Sequence, residues 1–356
     1  MSEEGEIKTF VVLDLETNGL PSQQFNTCAI TELSLYTFSA KCLTDKDIDT
    51  KLALKDVTEE GVEGFDQQPP ELPRVLNKLT LMINPRRMIN PIAEKVTGLS
   101  NEMLENESSF DKDTAECLNL FLERLEKPIC MVAHNGWTFD YPVIRYVYDK
   151  LNMSLPSSVF CVDSLKAFRE IDEKYDKIKE TKKVMNILEA EAKELNDEQA
   201  VTYEKEEVLN TITSDPLEQN SQINWQRDNE TTPHRKKNTE KRTYSTLTND
   251  DDNNTANSAA DGESPAKKRS VSLCVRRSLF ADNFKPKTKY PPKGVYQLGN
   301  IYKRCFQKDP VNLHRAESDV EILSKLILHY GLDFLAYAEE RKQLFTNVPK
   351  LGSSIY

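Results

Sequence analysis

The sequence has no apolar run approaching the roughly 20 residues that a membrane-spanning helix requires. Its N-terminus, MSEEGEIKTF, lacks a basic segment followed by an apolar one, so a secretory leader is not expected either. No membrane tail follows Tyr356, and a soluble, non-secreted protein is the expectation. Cysteine pairing is also missing. The seven cysteines, at 28, 42, 117, 130, 161, 274 and 305, contain no CxxC and no paired spacing. Neither a disulfide framework nor a zinc site is indicated, and a reducing compartment fits. Positive charge is in deficit: 47 Lys and Arg stand against 58 Asp and Glu, a net charge of -11. That balance disfavours wholesale coating of nucleic acid, although polyanion contact needs only a local positive surface or bound cations.

What is present is a succession of apolar strands and amphipathic helices. TFVVLDLE, AITELSLYTFSA, KLTLMINP, ICMVAHN and SVFCV carry strand patterns, and residues 112–125 and 139–151 carry helical spacing. Three strands in succession followed by helical crossovers predict an α/β fold, a mixed sheet flanked by helices. Beyond about residue 170 the chain becomes rich in Glu and Lys, with Ile171, Ile178, Met185 and Ala192 at seven-residue spacing, and then polar up to about 289. Such composition predicts an insert over 171–289, partly helical and then disordered. Globular patterning resumes near 290, with VYQLGNIYKRCF and LHRAESDVEILSKLILHYG as two helices. Residues 8–170 and 290–345 are therefore expected to form one discontinuous domain, because neither part alone completes a core.

Three islands carry candidate chemistry. In FVVLDLETNGL, Asp14 and Glu16 lie two apart on a strand and project from the same face. Buried carboxylates need a cation, a proton or a metal, unless the strand ends near Leu13 and both acids lie in a solvated turn. In AHNGWTFDYPVI, Asp140 stands in the first turn of a helix, where it can also serve simply to complement the helix dipole. In LHRAESDVEIL, His314 and Asp319 would lie about 140° apart on one helix. His314 must therefore precede the helix if the two are to meet.

LDLETNGL, KVTGLS, VAHNGWTFDYPVI, LGNIYKRCF and HRAESD together resemble the DEDDh 3′-to-5′ exonucleases of the ribonuclease H-like fold, and within them the three prime repair exonucleases. The likeness covers about 10–170 and 293–330. Arg315 departs from the sister group that has Tyr four residues before the last Asp. The resemblance implies a five-stranded ribonuclease H-like sheet and a discontinuous exonuclease domain. It implies metal binding by Asp14, Glu16, Asp140 and Asp319, with Asp14 bridging two Mg²⁺ ions and Mn²⁺ as a substitute, and His314 as general base. Two divalent ions roughly 3.5–4 Å apart suit phosphodiester hydrolysis, and hard cations take oxygen ligands. The implied reaction releases nucleoside 5′-monophosphates from a DNA 3′ end. Glu16 and Thr17 would hold that end through their backbone and Leu20 would wedge at the terminal base, where the plainer reading of Leu20 is a core residue closing the Asn18-Gly19 turn. His134 matches a histidine of the family motif and reads as structural. Thr138 stands where relatives have a basic residue, which points to single-stranded or frayed ends. A homodimer through the KLTLMINP edge, with Arg124 at its interface, is also implied. The basic clusters at 233–242 and 264–278 read as contacts for an import receptor or nucleic acid, so that a nuclear location is favoured over a cytoplasmic one. The alternatives are an RNA exonuclease of the same superfamily and a silent nucleic-acid-binding scaffold.

Overall fold

The computed structural model describes residues 5–44, 68–176, 180, 186, 277, 280 and 294–353. Two compact units divide the chain, Met1–Lys179 with Ser264–Tyr356, and Glu180–Glu263. Of the second unit only Glu180 and Asn186 are described, so most of the expected insert, including the 233–242 cluster and all of 264–278 except Arg277, lies outside the described residues.

The first unit is built on one mixed sheet of six strands, in the order β3-β2-β1-β4-β5-β6. Strands β1 (Thr9–Thr17), β2 (Ile30–Ser39) and β3 (Asn77–Met82) are antiparallel neighbours. Strands β4 (Ile129–Ala133) and β5 (Val159–Asp163) continue the sheet in parallel from β1. The five strands expected from sequence are all present. The sixth, β6 (Gln343–Leu344), is a two-residue antiparallel addition to β5, too short to leave a strand pattern in the sequence.

Strand β1 is central and buried on both faces, which is why its apolar residues run on with little alternation. Val11, Leu13 and Leu15 pack in the layer containing α2 (Lys112–Glu123) and α3 (Asp140–Leu151), whereas Phe10 and Val12 pack in the layer of α5 (Leu298–Phe306) and α6 (Ala316–Arg341). The short α1 (Pro91–Thr97) starts with an Asn90 cap and ends at Gly98, whose φ of 75° accommodates the left-handed turn. Helix α4 occupies 164–176 among the described residues; its Ile171 is buried, and Asp172 accepts from Tyr330 Oη at 2.9 Å. Arg277 and Phe280 also pack on this unit, Arg277 against Glu340 and Phe280 against Tyr337. Helix α6 continues past the expected stop at Gly331 after a kink there (φ 52°, ψ -126°) and remains buried as far as Glu339, whose carboxylate accepts from Ile7 N at 2.6 Å. No helix among the described residues is long and apolar enough to cross a membrane.

Candidate active site

The odd-numbered residues of β1 supply core to the α2/α3 layer, so the even-numbered ones face α6, and Asp14 and Glu16 extend that face beyond Phe10 and Val12. Both are half-buried within the strand, not in a solvated turn. A bulge in the β1/β2 ladder falls between Glu16 and Thr17, immediately past the pair Glu16↔Glu32. Bulges bend a strand and re-aim its side chains, and here the bend lies where the carboxylates emerge. The following turn is braced by Asn18, which accepts from Ala29 N at 2.8 Å and donates to Met88 O at 3.2 Å.

Strand β4 ends at Ala133, and the Asn135-Gly136 turn that follows requires both of its residues. Asn135 has φ 63°, and a Cβ on Gly136 would lie 2.7 Å from both Ala133 Cβ and Tyr141. The Tyr141 hydroxyl accepts from Ala133 N at 2.9 Å and reaches Val162 O at 2.7 Å, which fastens the start of α3 to β4 and β5. Asp140, the first residue of α3, is thereby buried at the centre of the sheet end. Asp163 accepts from Asn135 N and Leu165 N at 3.1 and 3.0 Å, and so braces the same turn.

His314 precedes α6, as the geometry of a five-residue spacing demands, with φ 64° turning the chain back. Its amide donates to Asp319 Oδ2 at 2.9 Å. Glu16, His314 and Asp319 each offer an atom able to ligate a metal, and these three atoms lie within 4.8 Å of one another. Asp14 and Asp140 fall outside that tight group, but Asp14 feels the charges of Glu16 and Asp319, and Asp140 raises Glu16.

The electrostatics of these acids are unfavourable without a cation. Burial pushes Glu16 up to about 8, with the Asp319, Glu32 and Asp140 charges adding to it. Asp140 also rises to about 8 through burial, although backbone amides pull it back. Asp319 rises to about 6, burial outweighing its His314 hydrogen bond. Asp14 is held well above the carboxylate range by burial and then by Asp140, Asp319, Glu16 and Glu32. Asp140 Oδ1 and Asp319 Oδ1 are buried with no hydrogen-bond partner. An all-oxygen set with orphaned buried atoms and mutual repulsion fits a hard divalent cation.

A cleft of about 580 Å³ is lined by Leu20, Asn26, Asn135, Thr138, Phe139 and Leu351–Ser353; it takes in the residue before Asp140 but none of Asp14, Glu16, Asp140, His314 and Asp319 themselves. Leu20 is 54% exposed, which removes the reading of it as core. Thr17 is buried, its hydroxyl donating to Gly19 O at 2.9 Å. His134 uses both ring nitrogens structurally, Nδ1 with Ser164 Oγ at 3.0 Å and Nε2 with Tyr296 O at 2.8 Å, and burial lowers it to about 4. Sequence reasoning did not single out Glu32 or Asp163. Each left a signal: a glutamate inside the apolar AITELSLY strand, and an aspartate closing the apolar VFCV run.

No family model matches the chain. Among curated proteins, it is 38% identical over 174 residues to three prime repair exonuclease 2 from Homo sapiens, covering 48% of this chain and 66% of that one. It is 34% identical over 174 residues to three-prime repair exonuclease 1 from Bos taurus, covering 47% of this chain and 49% of that one. The chain thus spans less than two thirds of the length of these relatives. Among solved structures, a zinc-bound complex of E. coli ExoI with ssDNA overlaps 46% of this chain and 29% of its own, at 15% identity and a TM-score of 0.30.

Proposed function

For a chain that belongs to the three prime repair exonuclease family, we propose a metal-dependent 3′-to-5′ DNA exonuclease that hydrolyses the terminal phosphodiester and releases nucleoside 5′-monophosphates. What supports this reading is the gathering of ligand atoms of Glu16, His314 and Asp319 within 4.8 Å, the charges of Asp14 and Asp140 acting on that group, and two buried carboxylate oxygens left without partners. No arrangement of purely structural acids explains four carboxyls gathered at a cost in desolvation and repulsion. These four residues would hold two divalent ions, Mg²⁺ or Mn²⁺ in its place, which when bound neutralise charge at the phosphate and lower the pKa of a bound water.

His314 acts as general base. It is solvent-exposed, so a proton taken from the attacking water can pass on to bulk. The attacking oxygen forms the new bond to phosphorus, and the 3′ oxygen of the penultimate nucleotide leaves with the electron pair. The backbone at Glu16 and Thr17 holds the 3′ end, and exposed Leu20 meets the terminal base at the cleft. With Thr138 lining the cleft in place of a cation, single-stranded or frayed DNA is the substrate. The catalytic domain is discontinuous, 8–170 with 290–345, and Ile171, Arg277 and Phe280, which pack with it, make the insert between its parts narrower than 171–289. A homodimer would pair the exposed β3 edge, with Arg124, exposed at the end of α2, near the interface. The basic clusters direct the protein to the nucleus.

The test is incubation of the purified chain with matched 5′-labelled DNA and RNA oligonucleotides, single-stranded and duplex, with Mg²⁺, Mn²⁺ or EDTA. Stepwise shortening of DNA from the 3′ end, abolished by EDTA, is expected. Faster degradation of the RNA would assign the enzyme to ribonucleic substrates, and binding without degradation under either metal would make it a silent scaffold.

A further inference from the structure

Glu32 is a fifth carboxylate that neither the motifs nor the proposed mechanism uses. It is 4% exposed on β2, directly across the ladder from Glu16 and next to the bulge. An acid buried among other acids needs a compensating contact. Its compensation is the start of α6: Glu32 Oε2 accepts from Ala316 N at 3.2 Å. Ala316 is the first residue of that helix, and the preceding Arg315 contributes no side-chain cap. A strand side chain therefore satisfies the orphan donor that a capping Ser or Asp ordinarily satisfies, and places its negative charge at the positive end of the helix.

We infer that Glu32 is a positioning residue of this centre: by capping α6 from β2, it sets where His314 and Asp319 stand against Glu16. The inference rests on the exonuclease reading above. A second tether acts on the same turn from the same face of β2. Tyr36, four residues along, donates to Glu317 Oε1 at 2.9 Å and accepts from Lys78 Nζ at 2.7 Å. The two contacts fix both the height and the direction of the helix start. Asp319 is itself drawn to the backbone here, since its Oδ2 accepts from His314 N. With Glu32 absent, the amide of Ala316 would lose its acceptor, and Asp319 is the neighbouring carboxylate able to swing toward the freed donors. The group lost to capping would then be one the metal site requires. The Glu32 carboxylate is engaged with the backbone at the start of α6, so its influence runs through the placement of that helix.

Three variants separate placement from charge. Glu32→Ala removes the acceptor, Glu32→Gln keeps an amide oxygen in the same place, and Ala316→Pro removes the donor at a first-turn position where proline is well tolerated. Mn²⁺ binding to the full chain is measured by isothermal titration calorimetry, and kcat and KM are measured on a single-stranded DNA oligonucleotide. Glu32→Ala and Ala316→Pro are each expected to weaken Mn²⁺ binding and lower kcat by at least about tenfold, as loss of outer-sphere partners does, with KM little changed. Glu32→Gln should stay within about threefold of the parent in both, and the double variant Glu32→Ala/Ala316→Pro should be no worse than Glu32→Ala alone, because Glu32→Ala already removes the acceptor shared by the Ala316 and Glu317 amides. Glu32→Gln as damaged as Glu32→Ala would show that charge and not placement matters, and would overturn the inference. So would unchanged Mn²⁺ affinity in Glu32→Ala, or additive losses in the double variant. If Glu32→Ala does not fold, Ala316→Pro and Glu32→Gln decide alone: impairment of the first with retention by the second supports the role, and any other pairing rejects it. A parent protein that neither binds Mn²⁺ nor shortens DNA fails the exonuclease reading itself, whereas one that does both with insensitive variants fails only the assignment of Glu32.

Discussion

Replacing Asp319 by Asn should stabilise the metal-free protein, and only above a definite pH. In the folded state burial raises Asp319 from 3.8 to about 6, despite the hydrogen bond from the His314 amide. The folded protein therefore holds a proton that the unfolded chain releases near the ordinary value, and binds more protons throughout the interval between. Where the folded state binds more protons, stability falls as pH rises, so the metal-free parent loses stability between about pH 4 and pH 6. At about 1.36 kcal/mol per pH unit, the Asp319 rise corresponds to about 3 kcal/mol at full ionisation. Asparagine abolishes this contribution and keeps an oxygen for His314 N, at the expense of about 1 kcal/mol for exchanging a charged acceptor for a neutral one. A net gain of about 1–3 kcal/mol follows. It should be absent near pH 4, grow through pH 6, and increase slightly toward pH 8 because Asp319 is the leading charge raising Glu16 to about 8. Urea unfolding in EDTA at pH 4, 6 and 8.5 reads it directly as a shift in midpoint at constant slope. Adding Mg²⁺ should reverse the order, since only the parent retains the full ligand set. Equal stability differences at pH 4 and pH 8.5, or a destabilised variant at pH 8.5 in EDTA, would refute the electrostatic account of the site.

Asp14→Ala is expected to lower turnover by at least about 10³-fold under saturating Mg²⁺, since it removes a group that holds the transition-state charge; near-normal turnover in a folded variant would sink the site assignment. His314→Ala should reduce kcat by about 10²–10⁴-fold while Mn²⁺ and oligonucleotide affinities stay near those of the parent, and an equal collapse of DNA affinity would exclude the base role. Deleting residues 187–263 behind a flexible linker, with Ile171, Arg277 and Phe280 retained, should preserve exonuclease activity, because a change in loop length alters closure entropy by only about 0.6 kcal/mol per doubling. Neutralising the basic residues of 233–242 and 264–275 in a tagged protein should shift it from nucleus to cytoplasm, and unchanged nuclear enrichment would reject the import reading.

The sequence by itself determined most of the elements and the three segments that carry Asp14 and Glu16, Asp140, and His314 with Asp319. Period-two and helical patterns placed β1 to β5 and both C-terminal helices, because local sterics and the need to bury one face act within a few residues. The same locality made Asp14 and Glu16 legible as an anomaly, two acids on one face of an apolar strand, and it required His314 to lie outside the helix that carries Asp319. Only the tertiary structure decided the rest. That Glu32 caps α6, that Asp163 braces the turn before Asp140, and that Leu351–Ser353 wall the cleft beside Leu20 are contacts between segments tens to hundreds of residues apart. The extension of α6 past Gly331 is of the same kind: glycine reads locally as a stop, but the residues beyond it bury against the sheet and the helix resumes. Local patterns record what each segment must hide, while the choice of which segments hide against one another depends on strand order and register, and those exist only once the chain has closed on itself.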